Sequence, residues 1–279
     1  MSSSSILHNE KTYWQMNPKL SLTPEQWKLL DSLLIENSQL PGHFVELIQK
    51  NFDLNPHLEK SLLGHGIRTA ILSVLINQEL QRTDSKPAHD GALLEAGLYH
   101  DIGKLNTEIR KLVYLNHSLK TEEKSKANEH IKIGHRFLFM LQMLCNRKND
   151  ESSVKSRDAV HFHHERLNGS GYLGVDGSPQ TFELSKETRI LAVADTFDAM
   201  QCSRTYREKN LTAQEALKEI CHYAHPSRPE QRKYDFQAAE ALKSLLKKTG
   251  NEYIFKYPTP LPKPKKVQEC SAKKNEEVA

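Results

Sequence analysis

Apolar residues recur along most of this chain at the three- and four-residue spacing of an α-helix with one buried face. The clearest pattern begins at Asn55-Pro56, a capping residue followed by proline, and ends near Arg82. Its apolar positions are Leu63, Ile67, Ala70, Ile71, Val74 and Leu75. The same spacing predicts helices over about 90–100, 121–145, a stretch ending near 163, 187–201, 212–223 and 235–249. Strand-like alternation and a fixed-period repeat are both missing, so the sequence predicts an all-α bundle of about seven helices over 55–250.

Shorter patterns flank this bundle on both sides. Thr23-Pro24-Glu25 is typical of a helix start and leads into leucines at helical spacing, and a second short helix is predicted near 43–52. Residues 1–54 are therefore predicted to form a small N-terminal helical segment, which could pack on the bundle or bind a protein partner. Residues 251–279 are rich in proline and lysine, and their few apolar residues predict a disordered tail.

Charge and composition narrow the class of protein. The net charge is +4, but the lysine-rich tail supplies most of it, so a nucleic-acid-binding module is not favoured. No stretch reaches the roughly 18 uninterrupted apolar residues of a membrane helix, and the start of the chain lacks a secretory signal pattern. We therefore expect a cytoplasmic protein that binds neither membranes nor nucleic acid. The four scattered cysteines exclude a disulfide framework and a cysteine-based zinc site.

Histidine is the unusual residue type, because eight of the 14 histidines lie between His89 and His164. Among them, His100-Asp101 follows an apolar helix, and Gly103-Lys104 marks the end of that helix. A neutral imidazole and an adjacent carboxylate supply nitrogen and oxygen ligands for a divalent ion. The run HDIGK after an apolar helix is therefore typical of a metal site.

Other residues have the same ligand chemistry. His65 and His130 lie on apolar helix faces and would each, taken alone, more often be core histidines, but their occurrence with HDIGK favours ligands. Asp195 has apolar neighbours at helical spacing, and a buried carboxylate needs a cation or several donors. His163-His164 precede a glycine-rich turn. The predicted metal ligands are His65, His100, Asp101, His130, His163, His164 and Asp195. The residues interpreted as surface, capping or ion-pairing positions instead are His135, His161 and Asp198.

Three runs of the sequence together resemble a known family. HDIGK, HHERLNGSGY and RILAVADTFDAMQCSRTYR occur in the order seen in the HD-GYP domain, and the resemblance covers about residues 56–245. This domain is a bacterial signalling subgroup of the HD metal-dependent phosphohydrolases that cleaves cyclic di-GMP. The resemblance implies an all-helical domain of about seven helices that binds Fe or Mn.

The resemblance also implies an activity. It predicts a phosphodiesterase that hydrolyses cyclic di-GMP to pGpG, GMP or both, with divalent ions held by the seven predicted ligands. Asp101 would bridge two metals, and a metal-bridging hydroxide would attack phosphorus. Lys104 would lie near the scissile phosphate, and Arg204 and Arg207 would face the phosphates of the ligand. Tyr172, in the GYP-like motif, is predicted to bind substrate.

Several features depart from the pattern of the family. Ser61 stands where the family often has a glutamate that helps to hold a third metal, which favours two ions here. Asn168 replaces an aspartate, Leu173 replaces the proline of GYP, and residues 105–121 match the family's loop poorly. These changes leave a second hypothesis, a weakly active or inactive relative that senses cyclic di-GMP or contacts a protein partner through the N-terminal segment or glycine-rich loop. A third is an HD phosphohydrolase that acts on another nucleotide.

Overall fold

The computed structural model describes residues 56–82, 87–113, 119–172, 183–201 and 210–248. The predicted N-terminal segment (1–54) and the predicted tail (251–279) lie outside these ranges, as do Arg204, Arg207 and Leu173. The side chain of Ser61 is also outside the described part of the chain, so the binding of two ions rather than three stays a prediction.

The described part of the chain is helical, as the sequence predicts. Two short 3-10 helices, Ile102–Leu105 and Pro229–Gln231, lie between longer elements. The α-helices in chain order are α1 (Pro56–Leu80), α2 (Asp90–Tyr99), α3 (Thr107–Val113), α4 (Thr121–Asn128), α5 (His130–Leu144), α6 (Glu151–Phe162), α7 (Lys186–Gln201), α8 (Ala213–Ala224) and α9 (Phe236–Lys248). The prediction of an all-α fold is confirmed.

Two details of the predicted helices differ from the structure. The helix predicted over 121–145 is divided at Glu129 into α4 and α5, and α3 was not predicted. The division has a physical cause, since α4 is polar and buries none of its residues, whereas burial begins at His130 and Ile131. The Ala127 carbonyl, near the end of α4, accepts a hydrogen bond from Nδ1 of His130 at 2.7 Å. The break therefore occurs where a histidine turns inwards.

Helix α1 lies at the centre of the bundle and packs on α2, α7 and α9, while α6 packs on α2, α5 and α7. On α1, the side chains of Ile67, Ile71 and Val74 are almost wholly inaccessible to solvent. Helix α2 is buried along its length from Gly91 to Tyr99. A helix buried all round places the residue that follows it, His100, in the protein interior.

The contact between α1 and α2 depends on a glycine. A methyl group at Gly97 would lie 2.6 Å from the backbone nitrogen of Ala70, which is far inside van der Waals contact. The two backbones approach this closely because Gly97 has no side chain. Gly103 similarly lies against the backbone of His130, where a methyl group would be 2.7 Å from the carbonyl carbon. Both glycines set the spacing between elements that carry histidines.

Among the described helices, none combines the length and the apolar character that crossing a bilayer requires.

Gly97→Ala should reduce the free energy of unfolding by about 1–3 kcal/mol, because the added methyl group forces α1 and α2 apart. Gly134→Ala, on α5, is the matched control, since its methyl group would meet only ordinary contacts at 3.5 Å or more, with Ile102, Gly103 and His100. Urea denaturation followed by circular dichroism measures both changes. The control should be neutral or stabilised by up to about 1 kcal/mol, because alanine has the higher helix propensity. Equal stability of the two variants would contradict the close-approach argument.

Candidate metal centre

The structure brings all seven predicted ligand side chains together in two adjacent groups. We call the first the four-ligand cluster; its members are Asp101, His130, His163 and His164. We call the second the three-ligand cluster; its members are His65, His100 and Asp195. Within each cluster, the potential ligand atoms all lie within 4.8 Å of one another. The ligands come from α1, α5 and α7 and from the residues that directly follow α2 and α6.

Three of the imidazoles are oriented by helix ends. His100 Nδ1 lies 2.8 Å from the carbonyl of Gly97, His130 Nδ1 lies 2.7 Å from that of Ala127, and His163 Nδ1 lies 2.8 Å from that of Val160. Carbonyls in the last turn of a helix have no partner within the helix, so they are free to accept these bonds. Since a carbonyl only accepts, each Nδ1 carries the proton. The lone pair of each ring is then on Nε2, which faces the clusters.

The fourth imidazole is held by a side chain. His65 Nδ1 donates to Oδ2 of Asp198 at 2.8 Å, and its Nε2 lies 3.1 Å from Oδ1 of Asp195. Asp198 is completely buried and is paired with Arg68, whose Nε donates to Oδ1 at 2.7 Å. Asp198 therefore lies on the far side of the imidazole from the clusters, and its ion pair agrees with the role that the sequence suggested for it.

Asp101 connects the two clusters. Its Oδ1 lies 3.4 Å from Nε2 of His130, in the four-ligand cluster. Its Oδ2 lies 3.5 Å from Nε2 of His100 and 3.8 Å from Nε2 of His65, both in the three-ligand cluster. Lys104 places its Nζ 2.5 Å from the same Oδ2 and keeps a partly exposed side chain. One carboxylate thus contacts both clusters and a cation at their edge.

Several buried polar atoms at this centre have no hydrogen-bond partner among the described residues. They are Oδ1 of Asp101 and the Nε2 atoms of His130 and His163. Leaving a buried polar atom unsatisfied costs about 1–3 kcal/mol. His65 and His100 also place their Nε2 atoms 3.2 Å apart, although both Nδ1 atoms face acceptors. Two opposed lone pairs require a proton or a cation between them, so both observations fit a divalent ion.

The protonation states favour the same interpretation. Burial lowers the pKa of His130 to about 4, with help from the Lys104 cation, and lowers the pKa of His163 to about 3. Burial alone would raise the pKa of Asp101, but Lys104 and the nearby imidazoles outweigh it and hold the value well below its usual range. Neutral imidazoles and ionised carboxylates are the forms that bind metals.

The pKa of His65 shows that the carboxylates beside it favour a positive charge. Its burial would lower its pKa, but hydrogen bonds to Asp195 and Asp198 outweigh burial and raise the pKa to about 9. In the absence of another cation, a proton on His65 therefore partly neutralises the carboxylates. A divalent ion would take the place of that proton. Nitrogen and oxygen donors of this kind suit Mn, Fe and other first-row divalent metals.

The glycine-rich loop, Asn168–Tyr172, lies at the edge of the four-ligand cluster. The ring of Tyr172 lies 4.4 Å from that of His164, and half of the tyrosine is exposed. A methyl group at Gly171 would lie 2.6 Å from the Cα atom of the buried Glu165, so the loop packs closely over this residue. The loop therefore presents an exposed aromatic ring beside a candidate ligand.

Both ends of the Asn168 amide form hydrogen bonds, which accounts for an asparagine at this position. Its Oδ1 accepts hydrogen bonds from the backbone nitrogen of Ser170 at 3.2 Å and from the Ser170 hydroxyl at 2.8 Å. Its Nδ2 donates to the carbonyl of Glu230 at 3.2 Å, which an ionised aspartate could not do. The departure from the family pattern at this position is thus compensated by a contact with another part of the chain.

The remaining histidines of the crowded region lie apart from the clusters. His135 and His161 contact each other, with ring centroids 5.1 Å apart, and belong to neither cluster. Arg68 was not among the residues predicted from the sequence, nor was its pairing with Asp198. The available signal was the helical spacing, because Arg68 lies three residues after His65 and Asp198 lies three residues after Asp195. At this spacing, residues share a helix face.

Comparison with known proteins identifies relatives for part of the chain. It is 32% identical over 145 residues to 3'3'-cGAMP-specific phosphodiesterase 3 of Vibrio cholerae, a match that covers 52% of this chain and 28% of that protein. It is 34% identical over 121 residues to a cyclic di-GMP phosphodiesterase of Thermotoga maritima, covering 43% of this chain and 30% of that protein. The chain thus spans about a third of the length of these relatives or less.

A solved structure and a family model also match. The structure of Bd1817, an HDG"Y"P protein from Bdellovibrio bacteriovorus, aligns with 88% of this chain and 70% of its own, with 16% identity and a TM-score of 0.48. The model of the HD domain family matches residues 58–235, which include all seven predicted ligands. Because this match covers well over half of the sequence, the chain belongs to the HD domain family, as its resemblance to the HD-GYP proteins predicted.

Proposed function

We propose that this chain is a metal-dependent phosphodiesterase that hydrolyses cyclic di-GMP to pGpG, GMP or both. The observation that carries the proposal is the position of Asp101, whose two oxygens face different ligand clusters. The seven ligands would hold two divalent ions, Fe or Mn, one at each cluster. When bound, such ions act as Lewis acids on a phosphoryl oxygen and lower the pKa of a coordinated water.

The side chains of the chain itself would position the substrate and stabilise charge. Lys104 Nζ, at the edge of the centre, would move from Asp101 towards an equatorial oxygen of the scissile phosphate as negative charge develops there. Arg204 and Arg207 remain predicted phosphate contacts. Arginine suits this role because its planar fork donates two parallel hydrogen bonds to phosphate oxygens.

Tyr172 is proposed to contact the base or ribose of the substrate. Its ring is half exposed and lies against His164, beside the metal centre. Stacking of a base on an aromatic side chain contributes about 1–3 kcal/mol and tolerates different bases. The loop around Tyr172 would therefore supply affinity for a nucleotide rather than chemistry.

The relatives support a cyclic dinucleotide as the substrate class. They include a phosphodiesterase named for 3'3'-cGAMP and one named for cyclic di-GMP. We therefore give 3'3'-cGAMP as the second candidate substrate. The alternative of a sensor with little activity rests on the departures at Asn168 and Leu173, but Asn168 forms a turn and a contact that stabilise its loop.

The decisive assay uses protein purified without oxygen, loaded with Fe(II) or Mn(II), and incubated separately with cyclic di-GMP and 3'3'-cGAMP. We expect linear pGpG or GMP from cyclic di-GMP, separated by chromatography, and a lower rate with 3'3'-cGAMP. A higher rate with 3'3'-cGAMP would transfer the proposal to that substrate. Protein that holds two ions per chain and binds cyclic di-GMP without any product would instead be a sensor, and the phosphodiesterase proposal would fail.

Asp101→Asn should abolish binding of at least one ion and reduce hydrolysis to background. The amide is neutral and cannot bridge two cations, and removing one partner from a buried charged network is strongly destabilising to that network. Elemental analysis after dialysis against a defined free Mn(II) concentration measures the bound metal. Asp150→Asn, at an exposed carboxylate that precedes α6, is the control and should bind the full complement. Full metal occupancy in Asp101→Asn would contradict the bridging role.

Lys104→Ala should keep both ions and slow turnover by about 10²–10³-fold, the range found when one transition-state donor is removed. The reason is that Lys104 contacts Asp101 but is not needed as a ligand. Lys111→Ala is the matched control, because this exposed lysine pairs with Glu108 on α3. Rates under saturating substrate and metal content are measured together. An unchanged rate in Lys104→Ala would remove its proposed role at the phosphate.

A further inference from the structure

His65 differs from the other oriented histidines in what fixes its ring. His100 and His163 directly follow helices, and His130 follows the end of α4 by two residues, so free carbonyls are available to their Nδ1 atoms. His65 lies within α1, where carbonyls accept the regular bonds of the helix. The acceptor nearest to its Nδ1 is Oδ2 of Asp198, on α7, at 2.8 Å, whereas the Thr69 hydroxyl on α1 lies 3.4 Å away.

Asp198 is itself fixed in two places. Arg68, one turn after His65 on α1, donates from Nε to Oδ1 at 2.7 Å and from Nη2 to Oδ2 at 3.0 Å. This two-point contact fixes the plane of the carboxylate, which is characteristic of arginine pairs. The Asp198 side chain is completely buried and the Arg68 side chain nearly so. The carboxylate that orients His65 thus has little freedom to turn.

The arrangement affects the nitrogen that faces the clusters. A carboxylate that accepts the Nδ1 proton fixes the tautomer of a ligating imidazole and increases the basicity of its other nitrogen. His65 Nε2, which is turned towards Asp195 and His100, would be the nitrogen so affected. With Asp101 shared between the clusters, the three-ligand cluster has two histidines and the other has three, so the loss of one oriented imidazole would weaken metal binding most at the three-ligand cluster.

We propose that Arg68 and Asp198 form a positioning pair that sets the metal affinity of the three-ligand cluster through His65, while the four-ligand cluster is independent of it. The inference rests on the proposed function only in taking both clusters as metal sites. It makes the two ions unequal. Both clusters contain histidines oriented by helix-end carbonyls, but the ion at the three-ligand cluster also depends on a contact between α1 and α7.

The test uses the full chain carrying Arg68→Gln with Asp198→Asn, so that neither buried charge is left without its partner. Titration with Mn(II) in a chelator-buffered series, followed by elemental analysis, gives the number of ions and their separate affinities. Wild type should bind two ions. The double variant should bind one with unchanged affinity and the other about 10–100-fold more weakly. Co(II) absorption spectra should report a changed environment for only one of the two ions.

A matched control removes another arginine–aspartate ion pair in which one partner lies on α7. Arg189→Gln with Asp235→Asn eliminates the 2.9 Å ion pair between α7 and the residue preceding α9 and should leave both affinities unchanged. His65→Gln should weaken the same single ion, and adding the Arg68 and Asp198 changes to it should have no further effect on that ion. Urea unfolding of each variant monitors the stability of the fold.

The outcomes separate the two proposals. Unchanged affinities in the double variant, or equal weakening of both ions, would overturn the positioning role, the second because it would indicate a general structural effect. Additive losses from the His65 change and the paired change would overturn it as well. Wild type that binds fewer than two ions would instead contradict the proposed metal centre itself, whatever the variants do.

Discussion

The hydrogen bond from an imidazole Nδ1 to a carbonyl at a helix end is the interaction on which the centre depends. It occurs at His100, His130 and His163, each time with the carbonyl three residues earlier. Helix ends leave carbonyls that need donors, and buried histidines need their rings fixed, so each bond satisfies both. The ends of α2, α4 and α6 therefore do more than terminate helices. They place three Nε2 lone pairs into one buried space, and the approach of Gly103 to the His130 backbone holds two of those ends together.

The packing of the helices buries the residues at these helix ends. Helix α2 is surrounded by α1, α6 and α7, and its burial places His100 and Asp101 in the interior with little access to water. In that setting charge has to be compensated locally, because buried ions lose their hydration. Lys104 compensates Asp101 in part, and Arg68 compensates Asp198. Among the described residues, Asp195 is paired with His65 and His100 rather than with a lysine or arginine, and hydrogen bonds to Asp195 and Asp198 raise the pKa of His65 to about 9.

Much of this could be predicted from the sequence, and the limits have physical causes. Apolar spacing predicted the long helices, and the occurrence of histidine and aspartate on apolar faces singled out the seven side chains that the structure brings together in the two clusters. The break before His130 could not be predicted, because a bond between a ring and a carbonyl decides it and helix propensity does not. The pairing of Asp198 with Arg68 spans 130 residues, and helical spacing shows only that each shares a face with a predicted ligand, not that the two side chains meet.

The net charge of the metal-loaded centre has a consequence for the substrate. Two divalent ions would bring more positive charge than Asp101 and Asp195 can neutralise, and Lys104 adds to it at the edge. Arg68 and Asp198 do not change this balance, since they neutralise each other. The loaded centre would therefore attract an anion, and low-dielectric walls strengthen such attraction. Under the proposed function, a phosphodiester anion would supply the missing charge, and its entry would release Lys104 from Asp101. Substrate charge would then complete the electrostatic balance that the protein ligands leave open.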